Sequence, residues 1–129
     1  MIKTKSVYSS IKTDDGLRIL VTRFRGRGLK KTRYNVWMAN LGPSEKILKK
    51  YQADKISWTE FKNQYKSELF GSDKSEDENK TIKNHGQKFT LRLLKTLSKR
   101  QDITLMCHCD ENQSDCHVNV LREVLEENV

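Results

Sequence analysis

Cysteine is scarce in this chain, with three residues in 129. Three cannot build a disulfide scaffold, and an odd count fits a reducing compartment, so a cytoplasmic protein is expected. No apolar run approaches the roughly 18 residues of a membrane span. The opening Met1-Ile2-Lys3-Thr4-Lys5 leads into no apolar segment, so no secretory signal is expected. Acidic residues are scarce in one place: residues 1–50 hold thirteen Lys and Arg against Asp14, Asp15 and Glu45, a net of +10. What is present is polar but not disordered in composition. Charged residues make up 33%, mean hydropathy is -0.81, and ten aromatic residues are available for a core. The length suits a single domain over residues 1–129, and neither a repeat nor a linker interrupts it.

The formal charge of +8 is therefore local, because residues 51–129 carry twelve basic and fourteen acidic groups, a net of -2. Arg18, Arg23, Arg25, Arg27, Lys30, Lys31 and Arg33 follow one another with no acid between them. Such a patch attracts polyanions, of which phosphate is the usual cellular one, or it is a solvated face that keeps a small protein soluble. Four arginines within Arg18–Arg27 favour bidentate contact with phosphate or carboxylate. Gly26 and Gly28 break the chain inside the patch, where a backbone can approach a ligand closely or simply turn.

Residues Ile2 to Tyr8 and Leu17 to Phe24 read as strands, the second around the apolar run Ile19-Leu20-Val21. Ser44 can cap a helix carrying Ile47, Leu48 and Tyr51 on one stripe. Ser57 and Glu60 form a capping box ahead of Trp58, Phe61, Tyr65 and Leu69, an aromatic stripe expected to be core. Gly71 to Lys80 has no apolar residue and reads as a solvated loop. A third helix is expected over Lys88–Lys99, with Phe89, Leu93, Leu94 and Leu97 inward. Ile103 to Cys107 is a short buried strand, and a last helix is expected over Ser114–Glu127. Such an order predicts an α/β fold: a small, mostly parallel sheet of about three strands covered by about four helices, with Rossmann-like character.

Cys107-His108-Cys109 and Cys116-His117 place five potential ligands or nucleophiles within eleven residues. In this fold the first group ends a strand and the second opens the next helix, the usual crevice for ligands in open α/β sheets. The N–H groups and dipole of a helix start stabilise an anion or a thiolate. Three readings stay open. Cys107, Cys109, Cys116 and His117 number enough for a metal site, although Cys-x-Cys and Cys-His are not the usual zinc knuckles, so no cofactor is expected. Alternatively, Cys116 or Cys109 is a reactive thiol with His117 or His108 as base. In the plainest reading Cys107 is core and the others are incidental. Cys116 to Arg122 also spells Cys-x5-Arg, but the residues between lack the glycines a phosphate loop needs.

Several segments together resemble a known family: Asp14-Asp15-Gly16-Leu17-Arg18-Ile19-Leu20-Val21-Thr22-Arg23, Arg27-Gly28-Leu29-Lys30-Lys31, Trp37, Leu41-Gly42-Pro43-Ser44, and Trp58-Thr59-Glu60-Phe61 with Tyr65. Their order and spacing, from about Tyr8 to Leu125, are similar to the YeaO-like branch of the domain-of-unknown-function family numbered 488. The resemblance implies a small Rossmann-like α/β domain and supplies no accepted activity. Relatives outside that branch end the last strand with cysteine and open the next helix with Cys-His-Arg. Cys107 and Cys116-His117 match those positions, Val118 stands in place of the arginine, Cys109 is additional, and Gly26 replaces a proline usual in the branch.

The preferred functional expectation is a binding module for a phosphate-bearing ligand, a nucleotide or nucleic acid, at the strand ends. Arg23, Arg25, Arg27, Gly28 and Lys30 are its candidate contacts. Phe24, Tyr34 and Trp37 are available to stack on bases or to pack in the core. The alternatives are a thiol enzyme using Cys116, His117 and Cys109, and a scaffold without chemistry of its own.

Overall fold

A computed structural model describes residues 1–70, 87–109 and 115–127. Four strands form its sheet: β1 (Ile2–Ser6), β2 (Leu17–Leu20), β3 (Val36–Trp37) and β4 (Ile103–Cys107). Among the described residues four α-helices accompany them: α1 (Glu45–Gln52), α2 (Trp58–Leu69), α3 (Gln87–Ser98) and α4 (His117–Glu127). The spatial order is β1-β4-β2-β3, and every neighbouring pair is parallel. Ser6 lies opposite Cys107, and Leu20 opposite both Met106 and Trp37. All four strands thus end at one edge of the sheet, and that edge carries the site.

β4 is central, and all five of its residues are buried. Its alternation sorts two cores. Ile103, Leu105 and Cys107 join Ile19, Val21 and the apolar faces of the helices in the larger one. Met106 faces the other way, into a small cluster with Val7, Leu20 and Leu29, against which Tyr34 packs. All the helices lie on one side, α4 across β1 and β4, with α2 and α3 against α4. Among the described residues the opposite side is covered by the segments 7–16 and 21–35, which hold two single 3-10 turns, Thr13–Asp15 and Lys31–Arg33, and no α-helix. The expected basic patch is therefore the cover of a sheet face as well as a surface.

Buried polar groups hold that cover in place. Asp15 is buried, and its carboxylate accepts from Lys5 Nζ at 2.6 Å and the Lys12 N–H at 2.9 Å. Burial pushes this carboxyl up, but the Lys12 N–H and the Lys5 ammonium outweigh it and hold the group below its ordinary range. Thr104 Oγ1, on the same sheet face, donates to the Asp15 carbonyl at 2.6 Å. Gly16 follows at φ 66°, where a β-carbon would fall 1.9 Å from the Asp102 carbonyl oxygen, so glycine alone fits.

Several expectations need correction. The fourth strand, β3, has two residues, too few to show an alternation. Leu93 is 61% exposed; Leu91 takes its place on the buried side of α3, beside Leu94, which is buried as expected. α4 starts at His117, not Ser114, which leaves Cys116 just ahead of the helix. Ser44 precedes α1 without capping it by its side chain, because its hydroxyl donates to the buried Glu68 carboxylate. The Ser57–Glu60 capping box is formed, and Phe61, Tyr65 and Leu69 are buried as expected of a core stripe. The Gly71–Lys80 loop and Ser114 lie outside the described residues, as does the side chain of Phe89.

Candidate functional site

At the C-terminal edge of the sheet, β4 delivers Cys107 and the two residues after it, while α4 starts a short distance away. Cys116 occupies the position before α4, where four N–H groups have no partner within the helix. Its sulfur accepts from the Val118 N–H, and its carbonyl takes the Asn119 N–H at 3.1 Å. From there Cys116 Sγ reaches Cys107 Sγ at 3.1 Å and Cys109 Sγ at 2.9 Å, both within S–H···S contact. The three sulfurs lie within 4.8 Å of one another. None is in a disulfide; Cys107 and Cys116 are buried, and Cys109 is half-buried.

The three thiols do not share their protons equally. Hydrogen bonds from Cys107 and Cys116 lower the Cys109 thiol well below its ordinary value against a smaller opposing effect of burial. Cys107 is raised by its hydrogen bonds to the other two sulfurs and by burial. For Cys116, the Cys107 hydrogen bond lowers and the Cys109 sulfur and burial raise, with a net rise. Cys109, the most accessible sulfur, is thus the one whose surroundings favour the thiolate form.

Two histidines flank the sulfurs. His117, in the first turn of α4, is half-buried, with its ring edge-on to Tyr65 at 5.8 Å. Its Nε2 lies 2.7 Å from the Val21 carbonyl. A carbonyl only accepts, so Nε2 carries the hydrogen; burial lowers the pKa despite that bond and keeps the ring neutral, leaving the lone pair on Nδ1. His108 Nε2 lies 3.3 Å from the Phe24 carbonyl, and Nδ1 lies 3.3 Å from the Tyr8 hydroxyl. The chain from β2 wraps this ring so closely that a β-carbon on Gly26 would come within 2.8 Å of His108 Cε1. Gly26 also has φ 95°, so its glycine is required twice over.

The arginines do not join the sulfurs. Arg23 is 1% exposed; its Nε donates to the Pro43 carbonyl at 3.0 Å and its Nη2 to the Gly42 carbonyl at 2.8 Å. Burial lowers its pKa, and Glu68 is the main group opposing that, so Arg23 is a buried cation with its own internal counter-charge. Arg25 Nε donates to the Tyr34 hydroxyl at 2.6 Å and Nη2 to the Leu29 carbonyl, with the guanidinium 5.8 Å over the Tyr34 ring. Arg27, Gly28 and Lys30 are exposed in the loop beyond. Of the candidate residues, the structure therefore brings together Cys107, Cys109 and Cys116, sets His117 beside them against Val21, and sends Arg23 inward as a strut between loops. Tyr8 and His108 meet because β1 and β4 are neighbours, which no local signal in the sequence announces. As a donor set, Cys107, Cys109 and Cys116 suit a soft, thiophilic ion, while His117 falls outside that group and is tied to Val21.

The profile of the active DUF488-N3 subclade matches residues 2–129. The chain belongs to the DUF488 family. Among curated proteins it is 34% identical over 126 residues to uncharacterized protein YeaO of Escherichia coli, with 96% of each chain covered. It is 32% identical over 73 residues to uncharacterized protein Rv3073c of Mycobacterium tuberculosis, covering 55% of this chain and 62% of that one. No solved structure matches it. This DUF488 member is thus YeaO-like over its whole length, and none of these relatives' names carries an activity.

Proposed function

We propose that this protein is a thiol-dependent enzyme in which Cys109 is the nucleophile, with Cys107 and Cys116 as S–H donors and His117 as a fixed neutral base. The observation that carries this reading is the contact of Cys116 with both other sulfurs, 2.9 and 3.1 Å, at the start of a helix. A thiolate there gains from donors already aimed at it and from the helix end. Its electron pair forms an S–C bond to an electrophilic centre of the substrate, and the leaving group departs with the pair of the bond broken. A second nucleophile then releases the adduct, and the His117 Nδ1 lone pair is available for its proton. The arginine-centred phosphate site is the weaker reading, because Arg23 and Arg25 are engaged within the protein. The test is peptide mapping after a brief, sub-stoichiometric exposure to iodoacetamide near neutral pH. Label is expected on Cys109 first, with Cys107 and Cys116 slow. Equal labelling of all three, or labelling of Cys109 only after a chelator is added, would overturn the proposal, the second result in favour of a metal centre.

A further inference from the structure

Three aromatic side chains stand at the same sheet edge as the sulfurs and belong to neither core: Tyr8, 60% exposed, Phe24, 47%, and Trp37, 37%. One exposed ring is ordinary, but several grouped along one edge mark an interaction surface. Their order along the edge follows from the strand order. Tyr8 follows β1, His108 follows β4, Phe24 follows β2, and Trp37 ends β3. With strands about 4.8 Å apart, the row spans about 14 Å. Contacts hold its members in place: Tyr8 to the His108 ring at 5.9 Å, His108 to the Phe24 carbonyl, and Trp37 Nε1 to the Thr22 carbonyl at 2.7 Å. Tyr34, by contrast, packs on the small core and under Arg25.

Beside this row runs the basic segment. Arg33 Nη1 donates to the Ser9 carbonyl at 3.2 Å, which ties the far end of that segment to the residue after Tyr8. Arg27, Lys30 and Lys31 are exposed along it, in the half of the chain with a net of +10. A row of exposed rings beside a cationic track is the arrangement that takes successive bases on π-faces and phosphates on ammonium and guanidinium groups.

We infer that single-stranded nucleic acid docks along the Tyr8–Phe24–Trp37 edge with its phosphates on the Arg27–Lys31 loop, and so presents a nucleotide to Cys109. The second half of this statement rests on the thiol reading above; the first does not. The row is too long for one base, which favours a strand over a mononucleotide.

The probe is a fluorescein-labelled thymidine oligonucleotide of about 12 nucleotides, within the site sizes of single-strand binders, followed by fluorescence anisotropy on the full reduced chain and on Cys109→Ser. Both are expected to bind at about 50 mM salt and to weaken steeply by about 200 mM. Phe24→Ala and Tyr8→Ala should each weaken binding at least about fivefold with an unchanged salt slope, and Tyr8→Phe should keep most of it. Lys30→Ala with Lys31→Ala should lower the slope by up to about 1.4, about 0.7 for each lost phosphate contact on a single strand. Circular dichroism checks that these surface variants fold. No binding at the low salt, affinity indifferent to the aromatic variants, or equal competition by thymidine monophosphate would overturn the docking. Docking that leaves Cys109 alkylation as fast as before would overturn the presentation to the thiol. The thiol reading itself is judged separately, by labelling without the oligonucleotide.

Discussion

His117 Nε2 donates to the Val21 carbonyl across 2.7 Å, so the first turn of α4 is fastened to the chain leaving β2. Residues 96 apart in sequence meet there, and the bond fixes which imidazole nitrogen carries the proton. It also ties the position of the sulfurs to the packing of the central strands, since α4 carries Cys116 at its start and β2 pairs with β4.

Because burial lowers the His117 pKa in the folded protein below its ordinary value of 6.5, the unfolded chain binds the extra proton first on acidification. Stability then rises with pH across the window from the folded pKa up to about 6.5, and falls as that window is crossed downward. His117→Gln, whose amide can still donate to Val21, should remove this part of the pH dependence. Urea unfolding at a series of pH values measures it, and ring-nitrogen NMR should show the Nε2–H form persisting below about pH 6.5. An unchanged pH profile in the variant would assign the dependence elsewhere.

The Cys109 thiolate owes its low pKa first to the S–H groups of Cys107 and Cys116. Cys116→Ala removes one of them, so the midpoint of Cys109 alkylation against pH should move upward. At a pH below both midpoints the rate falls about tenfold for each unit of that move. Alkylation rates of the two proteins, followed by intact mass, decide it; superimposable profiles would mean that Cys116 does not donate to Cys109.

How far the sequence carried is clearest at particular residues. Ile103 to Cys107 reads as a buried strand and is one, with the same ends, because a short run that is apolar but for Thr104, between polar flanks, has few other fates. Ser57 and Glu60 declare their helix start for an equally local reason. Arg23 was not legible. It sits among six other basic residues with nothing nearby to set it apart, and its partners Gly42 and Pro43 are 19 and 20 residues away. The cysteine pairs were visible as two groups, but their closure into one cluster depends on how α4 packs over β4. Tyr8 and His108, 100 residues apart, depend on strand order alone.

Arg23 as a strut makes a prediction that a ligand-binding arginine would not. Arg23→Met removes the buried cation that Glu68 acts on and frees the Gly42 and Pro43 carbonyls, which should destabilise the fold by about 3–5 kcal/mol. The double variant Arg23→Met with Glu68→Leu should recover part of that loss, because no unpaired charge remains. Denaturant titration of the three proteins measures both numbers. A single variant as stable as the parent would return Arg23 to the surface.

Lys5 and Asp15 provide the matching test on the other face of the sheet. Their contact is 2.6 Å, with side chains only 12% and 4% exposed, so solvent screens it little. Lys5→Met leaves Asp15 with the Lys12 N–H but without the ammonium, and should destabilise the protein by about 3–5 kcal/mol near neutral pH. The pH dependence has a definite sign. Asp15 titrates below its ordinary 3.8 in the folded protein, so its contribution is present above that value and is lost as pH falls through the folded pKa. Once Asp15 is protonated, Lys5 has no carboxylate to meet, and the two proteins should converge. The difference in unfolding free energy between Lys5→Met and the parent is therefore expected to be largest above about pH 5 and to shrink on further acidification. Urea titrations across that range measure it, and a difference that stays constant with pH would mean that the ammonium supports the 7–16 segment through its bond to the Ser10 carbonyl instead of through Asp15.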